Sequence, residues 1–84
     1  AARRDEFEIV NIKELAEFAD GTTVDAAAMA QQGLIRPGFK VKVLGDGELK
    51  IKLTVRADAF SNSARDKISK AGGTAELTQQ AANQ

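Results

Sequence analysis

Apolar positions recur along this chain with two different spacings, and the change from one to the other falls just after residue 38. Before it, Phe7–Val10 (F-E-I-V) is a short β-branched run that predicts a strand. Asn11 with Glu14 three residues on has the spacing of a capping box and predicts a short helix over Ile12–Phe18, stopped by Asp20-Gly21. The Ala-dense stretch from Val24 to Gln32 predicts a second helix, with Thr23 as its cap and Gly33 supplying the left-handed C′ position. Arg36-Pro37-Gly38 has the composition of a turn.

Beyond the turn the period becomes two. Lys40–Leu44 alternates, Gly45-Asp46-Gly47 reads as a hairpin turn, and Glu48–Ala57 alternates again. In that second run Leu49, Ile51, Leu53, Val55 and Ala57 point one way, and Glu48, Lys50, Lys52, Thr54 and Arg56 the other. The pattern predicts two strands with one buried face and one face bearing a row of cations. Asn62–Ala71 predicts a helix with Ala64, Ile68 and Ala71 on its inner side, Ser61 as its cap and Gly72-Gly73 as its end; Thr74–Leu77 predicts a last strand. The order β-α-α-β-β-α-β gives an α/β class, a small single domain with a short mixed sheet. Residues 1–6 are expected to be a frayed end, 7–77 the globular domain and 78–84 a patternless mobile tail.

Composition narrows the chemistry. The 84 residues include no Cys and no His, which excludes a disulfide framework and thiolate metal sites and removes the commonest general base and metal ligand. No cofactor, metal or small-molecule substrate is expected. No apolar run approaches the roughly 20 residues of a membrane span, and no signal-peptide pattern opens the chain. Asp46, Glu48, Asp58 and Asp66 invite a reading as paired carboxylates, but nothing in their spacing fixes a geometry and their neighbours are mostly cations, so no enzymatic activity is predicted. The net charge of zero hides an asymmetry: residues 1–30 hold three cations against seven anions, and residues 31–72 nine cations against four anions.

That basic middle carries the candidate binding residues. Lys40, Lys42, Lys50, Lys52 and Arg56, with Arg36 beside them at the turn, read as contacts to RNA phosphates; charges that merely keep exposed strands soluble would leave the same pattern. At the start of the last helix, Ser61, Asn62, Ser63 and Arg65 lie where free backbone N–H groups favour a phosphate, while Ser61 also suits simple capping. Gly45-Asp46-Gly47 lacks the lysine and following helix of a phosphate cradle. Phe7, Phe18 and Phe60 fall at core positions; Phe39 alone is expected at the surface, as a lid or as a stacking ring. Shape and backbone recognition of folded RNA fits this inventory better than sequence readout. The second reading is a protein-interaction domain whose acidic front, Glu8, Glu14, Glu17 and Asp20, docks a basic neighbour.

K-V-K-V-L-G-D-G-E-L at Lys40–Leu49, L-T-V at Leu53–Val55, A-F-S-N-S-A at Ala59–Ala64 and A-G-G at Ala71–Gly73 together resemble the signature of the family of bacterial-type large-subunit ribosomal protein fifteen, in its C-terminal globular part. The upstream E-F-E-I-V-N-I-K-E-L and Q-G-L-I-R look like the same family, so the resemblance covers Phe7 to Leu77. It implies irregular β-β-α units, binding to large-subunit (23S-type) rRNA beside neighbouring large-subunit proteins, a structural role and late incorporation during subunit assembly. It also implies a cytoplasmic ribosome, or an organellar one, as the location. The signature falls on Lys42, Gly45, Gly47, Ser61, Ala64 and Gly72, with Lys42 the implied RNA contact and the glycines implied turn and cap residues. Full-length members carry an N-terminal arm rich in Gly, Lys and Arg, so residues 1–6 are expected to be the end of such an arm. Members also often have a basic residue or His near Asp58 and Asn62, where this chain is less cationic.

Overall fold

Alternation buries Val41 and Val43 fully on one side of Lys40–Leu44, and on the other leaves Lys40 exposed and Lys42 and Leu44 half-buried. A computed structural model describes residues 7–36 and 38–78; the frayed end expected at 1–6, Pro37 of the expected turn, and all but Thr78 of the expected tail lie outside the described residues. The elements run β1 (Phe7–Asn11), α1 (Ile12–Leu15), β2 (Thr23–Val24), α2 (Ala26–Gln31), β3 (Lys40–Leu44), β4 (Thr54–Ala57), β5 (Ala59–Phe60), α3 (Asn62–Lys70) and β6 (Thr74–Leu77).

The α/β class holds, but the strands divide between two parallel sheets, β1-β3-β5 and β2-β4-β6, in place of the one mixed sheet that the element order predicts. Odd-numbered strands build one sheet and even-numbered strands the other. The register is fixed at Val10↔Val43 and Lys42↔Ala59 in the first and at Val24↔Val55 and Arg56↔Glu76 in the second. The inner faces of both sheets meet the helices in one core that includes Val10, Val43, Val24, Val55, Met29 and Ile68, all completely buried.

β4 passes into β5 through one residue, Asp58, where the chain changes sheet. Asp58 N–H donates to the Val41 carbonyl at 3.0 Å, and the Asp58 carboxylate accepts the Val41 N–H at 2.8 Å and the Thr78 hydroxyl at 3.1 Å. A side chain thus completes β3's hydrogen bonding at the point where the neighbouring backbone leaves the ladder.

The expected hairpin does not form, because β3 and β4 belong to different sheets. Gly45-Asp46-Gly47 is a clasped loop instead. The Lys67 ammonium donates to the Gly45 carbonyl at 2.7 Å and to the Gly47 carbonyl at 2.6 Å, and Lys13 N–H donates to the Asp46 carbonyl at 3.1 Å. A Cβ at Gly45 would overlap the Ser63 hydroxyl, and one at Gly47 (φ +100) would overlap the Lys13 side chain. Close packing as well as turning therefore selects both glycines.

Glu48–Leu53 keeps the expected alternation of burial without being a strand. Its backbone is held piecemeal: Asp20 accepts the Lys52 N–H at 2.6 Å, Gly21 N–H donates to the Lys52 carbonyl at 2.6 Å, and Thr74 N–H donates to the Leu53 carbonyl at 3.0 Å. The second helix starts later than expected, because Thr23 and Val24 pair with β4 and leave Asp25 to cap through its 2.9 Å bond from Ala28 N–H. Gly33 follows as its stop, with Leu34 N–H reaching back to the Met29 carbonyl at 2.9 Å. The first helix is shorter than predicted and ends at Leu15, although Glu14 does accept the Asn11 N–H at 3.5 Å. α3 matches its prediction, with Ala64 and Ile68 buried, Ser61 capping and Gly72 in the left-handed conformation (φ +90) at its end.

Lys67→Met keeps the stem and removes two hydrogen bonds from a charged donor, so unfolding stability should fall by about 2–3 kcal/mol. Lys70→Met loses only an exposed i,i+4 pair with Asp66 and should cost less than about 0.5 kcal/mol. Denaturant midpoints of the two variants check the difference; equal shifts would remove the clasp from the account of the fold.

Candidate nucleic-acid interface

The outward face of the β1-β3-β5 sheet places Phe7 beside Lys40 and Ile9 beside Lys42, with Ala59 on the far side of Lys42. Lys40 is exposed, with its ammonium 6.0 Å from the Phe7 ring centre, and Lys42 is half-buried. Phe7, expected in the core, is a half-buried rim residue of this edge strand. Phe18 and Phe60 do pack against the core as expected.

The other predicted cations do not join that face. Lys50 and Lys52 are exposed on the connection that replaces the expected second strand, with the Lys52 stem passing Gly72 at the end of α3. Arg56 stands on the outward face of the β2-β4-β6 sheet, where its Nε meets Glu76, its register partner, at 3.3 Å. The single cation row is therefore two patches and a connecting segment. Periodicity assigns each residue to the correct side, but the strand pairing needed to unite them is absent.

Arg36 is exposed and tied down: its Nε and Nη2 donate to one Glu8 carboxylate oxygen at 2.9 and 2.7 Å, and its guanidinium lies 4.5 Å over the Phe39 ring. At the start of α3, the Ser61 hydroxyl accepts the Ala64 N–H at 3.1 Å, the capping arrangement, and exposed Ser63 packs beside Gly45. Asn62 and Arg65 are exposed and line an open groove of about 480 Å³ together with Ser69 and Thr74; Asp66, also on its wall, pairs with Lys70 at 3.4 Å. Lys40, Lys42, Lys50, Lys52 and Arg65 make no ion pair with another described residue.

Three of the four carboxylates hold structural contacts, and the fourth, Glu48, is exposed on the wall of a groove it shares with Asp66, Lys67 and Lys70. Asp46 pairs with Lys13 at 3.2 Å, Asp58 holds β3, and Asp66 pairs with Lys70. Among the described residues no three His, Cys, Asp or Glu side chains gather where a metal ion would sit. The acidic front is similarly occupied: Glu8 holds Arg36, Glu14 caps α1, and Asp20 accepts from Lys52 N–H, leaving Glu17 exposed. Lys67 is a structural residue that a charge count of the basic segment does not distinguish from its neighbours. Its helical spacing from Ala64 and Ala71, which border the core, is the sequence signal that sets it apart from the outward cations. Among the described residues no helix is long and apolar enough to cross a membrane.

Comparison with known proteins finds a family model, described as ribosomal proteins 50S-L15, 50S-L18e and 60S-L27A, matching residues 9–76. Among curated proteins, the large ribosomal subunit protein uL15 of Synechococcus sp. (strain RCC307) is 53% identical over 72 residues, covering 84% of this chain and 48% of that protein. The uL15 of Corynebacterium aurimucosum is 51% identical over 74 residues (87% of this chain, 50% of that protein), and that of Roseiflexus sp. (strain RS-1) 49% over 72 residues (86% and 41%). The chain thus spans about half the length, or less, of the curated relatives it matches.

The Arg56–Glu76 pair has a measurable consequence. Glu76→Gln frees Arg56 and should move elution from a heparin column to higher salt than Glu17→Gln does, although both remove one negative charge. Identical elution of the two variants would show that freeing Arg56 does not strengthen binding to a polyanion.

Proposed function

The chain belongs to the family of ribosomal proteins 50S-L15, 50S-L18e and 60S-L27A, and from that membership we propose that it is a structural, non-catalytic constituent of the large ribosomal subunit that binds large-subunit (23S-type) rRNA and supports subunit assembly. The observation that carries this reading is the family match over residues 9–76, which includes the outward-facing cations Lys40, Lys42, Lys50, Lys52 and Arg65. On this reading residues 7–77 are the RNA-binding domain, its partners are rRNA and neighbouring large-subunit proteins, and it works on a cytoplasmic ribosome or an organellar one.

Each lysine or arginine set against a phosphate displaces condensed counterions, an entropic gain that shrinks as salt rises. Lys40 and Lys42 serve one sheet face and Lys50 and Lys52 the adjoining connection. Asn62, Ser63 and Arg65 present polar groups at the outer start of α3, with Ser61 holding that helix end in place. Arg56 contributes to the extent that RNA displaces Glu76, and Arg36 works from its fixed place beside Phe39. Contacts spread over several patches suit a folded RNA recognised by shape and backbone. Docking through the acidic front is not favoured, since three of its four carboxylates already bind within the domain.

Titration of large-subunit rRNA fragments with the Lys42/Lys50/Lys52→Glu variant tests the reading. Affinity should drop at least about tenfold at moderate salt, and the slope of log K against log salt should flatten by roughly 0.7–0.9 for each phosphate that no longer meets a cation. An unchanged affinity and slope would remove these cations from the interface.

A further inference from the structure

Phe39 is an exposed aromatic side chain that contributes nothing to the core. It is 37% exposed and lies outside the cluster against which Phe18 and Phe60 pack. Yet it is not loose on the surface. The Arg36 guanidinium covers the ring at 4.5 Å, and that guanidinium is aimed by two hydrogen bonds to a single Glu8 oxygen, at 2.9 and 2.7 Å. Glu8, on β1, is much less exposed than Arg36 (19% against 71% for the side chains), so the anchor of the stack is set in the sheet. Exposed Lys40 follows Phe39 directly in the chain.

We propose that Phe39, positioned by Arg36 and Glu8, is a stacking platform for one unpaired RNA base. A partly exposed ring backed by a cation is a prepared surface for a nucleobase: stacking tolerates any base, and the cation adds its own attraction to the ring. Lys40, exposed and next in the chain, offers a cation to the RNA backbone beside that nucleotide. Arg36 thereby becomes a positioning residue for Phe39. This inference rests on the RNA-binding reading above and adds an unpaired nucleotide to its ligand.

The chain has no Trp or Tyr, so Phe39→Trp installs a single fluorescent reporter at the platform. Binding is followed separately by anisotropy of labelled RNA, using a large-subunit rRNA fragment with an unpaired loop and the same fragment closed into a full duplex. The looped fragment should quench the fluorescence of the introduced indole at least about twofold and the duplex should not. Phe39→Leu should weaken binding of the looped fragment by about 5- to 30-fold with thermal stability unchanged. Glu8→Gln supplies the sharpest sign: removing an anion should by itself raise RNA affinity, whereas loss of the aimed stack lowers it severalfold, and only in the presence of Phe39. Binding by anisotropy with no quenching and no loss in Phe39→Leu would overturn the platform while leaving the RNA-binding reading intact. Absence of binding by every variant and by the unmodified chain would overturn both.

Discussion

The carbonyls of Gly45 and Gly47 lie where β3 ends and the chain departs for the other sheet, and the Lys67 ammonium is the donor that reaches both. A buried or half-buried carbonyl without a donor costs as much as a lost hydrogen bond, and a charged donor serving two of them is worth more than a neutral one. Lys67 comes from α3 and Lys13 N–H from α1, so one three-residue loop joins β3 to two helices. The closeness of Ser63 and Lys13 to the two glycines shows how little room that junction leaves. The position of α3, and with it the groove carrying Asn62 and Arg65, depends on this clasp.

The clasp also sorts the basic residues. Lys67 and Lys13 turn to the loop, Arg36, Arg56 and Lys70 meet Glu8, Glu76 and Asp66, and the remaining strand and helix cations face outward without a described ion partner. A count of charges in the basic segment therefore overstates what a polyanion would meet. Among the described residues, three of the four pairs have both partners at least 46% exposed, where the attraction is largely screened and a phosphate can compete. The Arg36–Glu8 pair differs, because its less exposed carboxylate and the adjoining ring hold the guanidinium in one orientation.

Much of this is legible in the sequence, for local reasons. The helix over Asn62–Lys70, its Ser61 cap and its glycine stop follow from contacts within a few residues of one another. The period of two from Glu48 to Ala57 correctly divides buried from exposed side chains, because alternation reports burial whether or not a ladder forms. Pairing is another matter. Nothing near Thr23-Val24 or Ala59-Phe60 announces a two-residue strand; each exists because a parallel partner lies 17 or more residues away. With Thr23 in that ladder it can no longer cap α2, and Asp25 takes the role. The hairpin expected at Gly45–Gly47 fails for a related reason: the glycines answer to Ser63 and Lys13, neighbours in space that local turn statistics do not see.

Neutrality of the whole chain bears on how such a surface would bind. With equal numbers of acidic and basic residues there is little long-range pull on a polyanion, and beyond a Debye length of about 8–10 Å at physiological salt the outward lysines are screened. On the proposed reading, what these 84 residues contribute to affinity then arises at contact, from cations held in fixed places and from shape. That requirement matches the architecture: Glu8 aims Arg36, Glu14 and Asp25 cap α1 and α2, and Asp20 fastens the Lys52 backbone, so these acids set the geometry of the basic side instead of opposing it. The acidic front and basic middle are one device in this sense, with the first half of the domain holding the second in the shape that a folded RNA would meet.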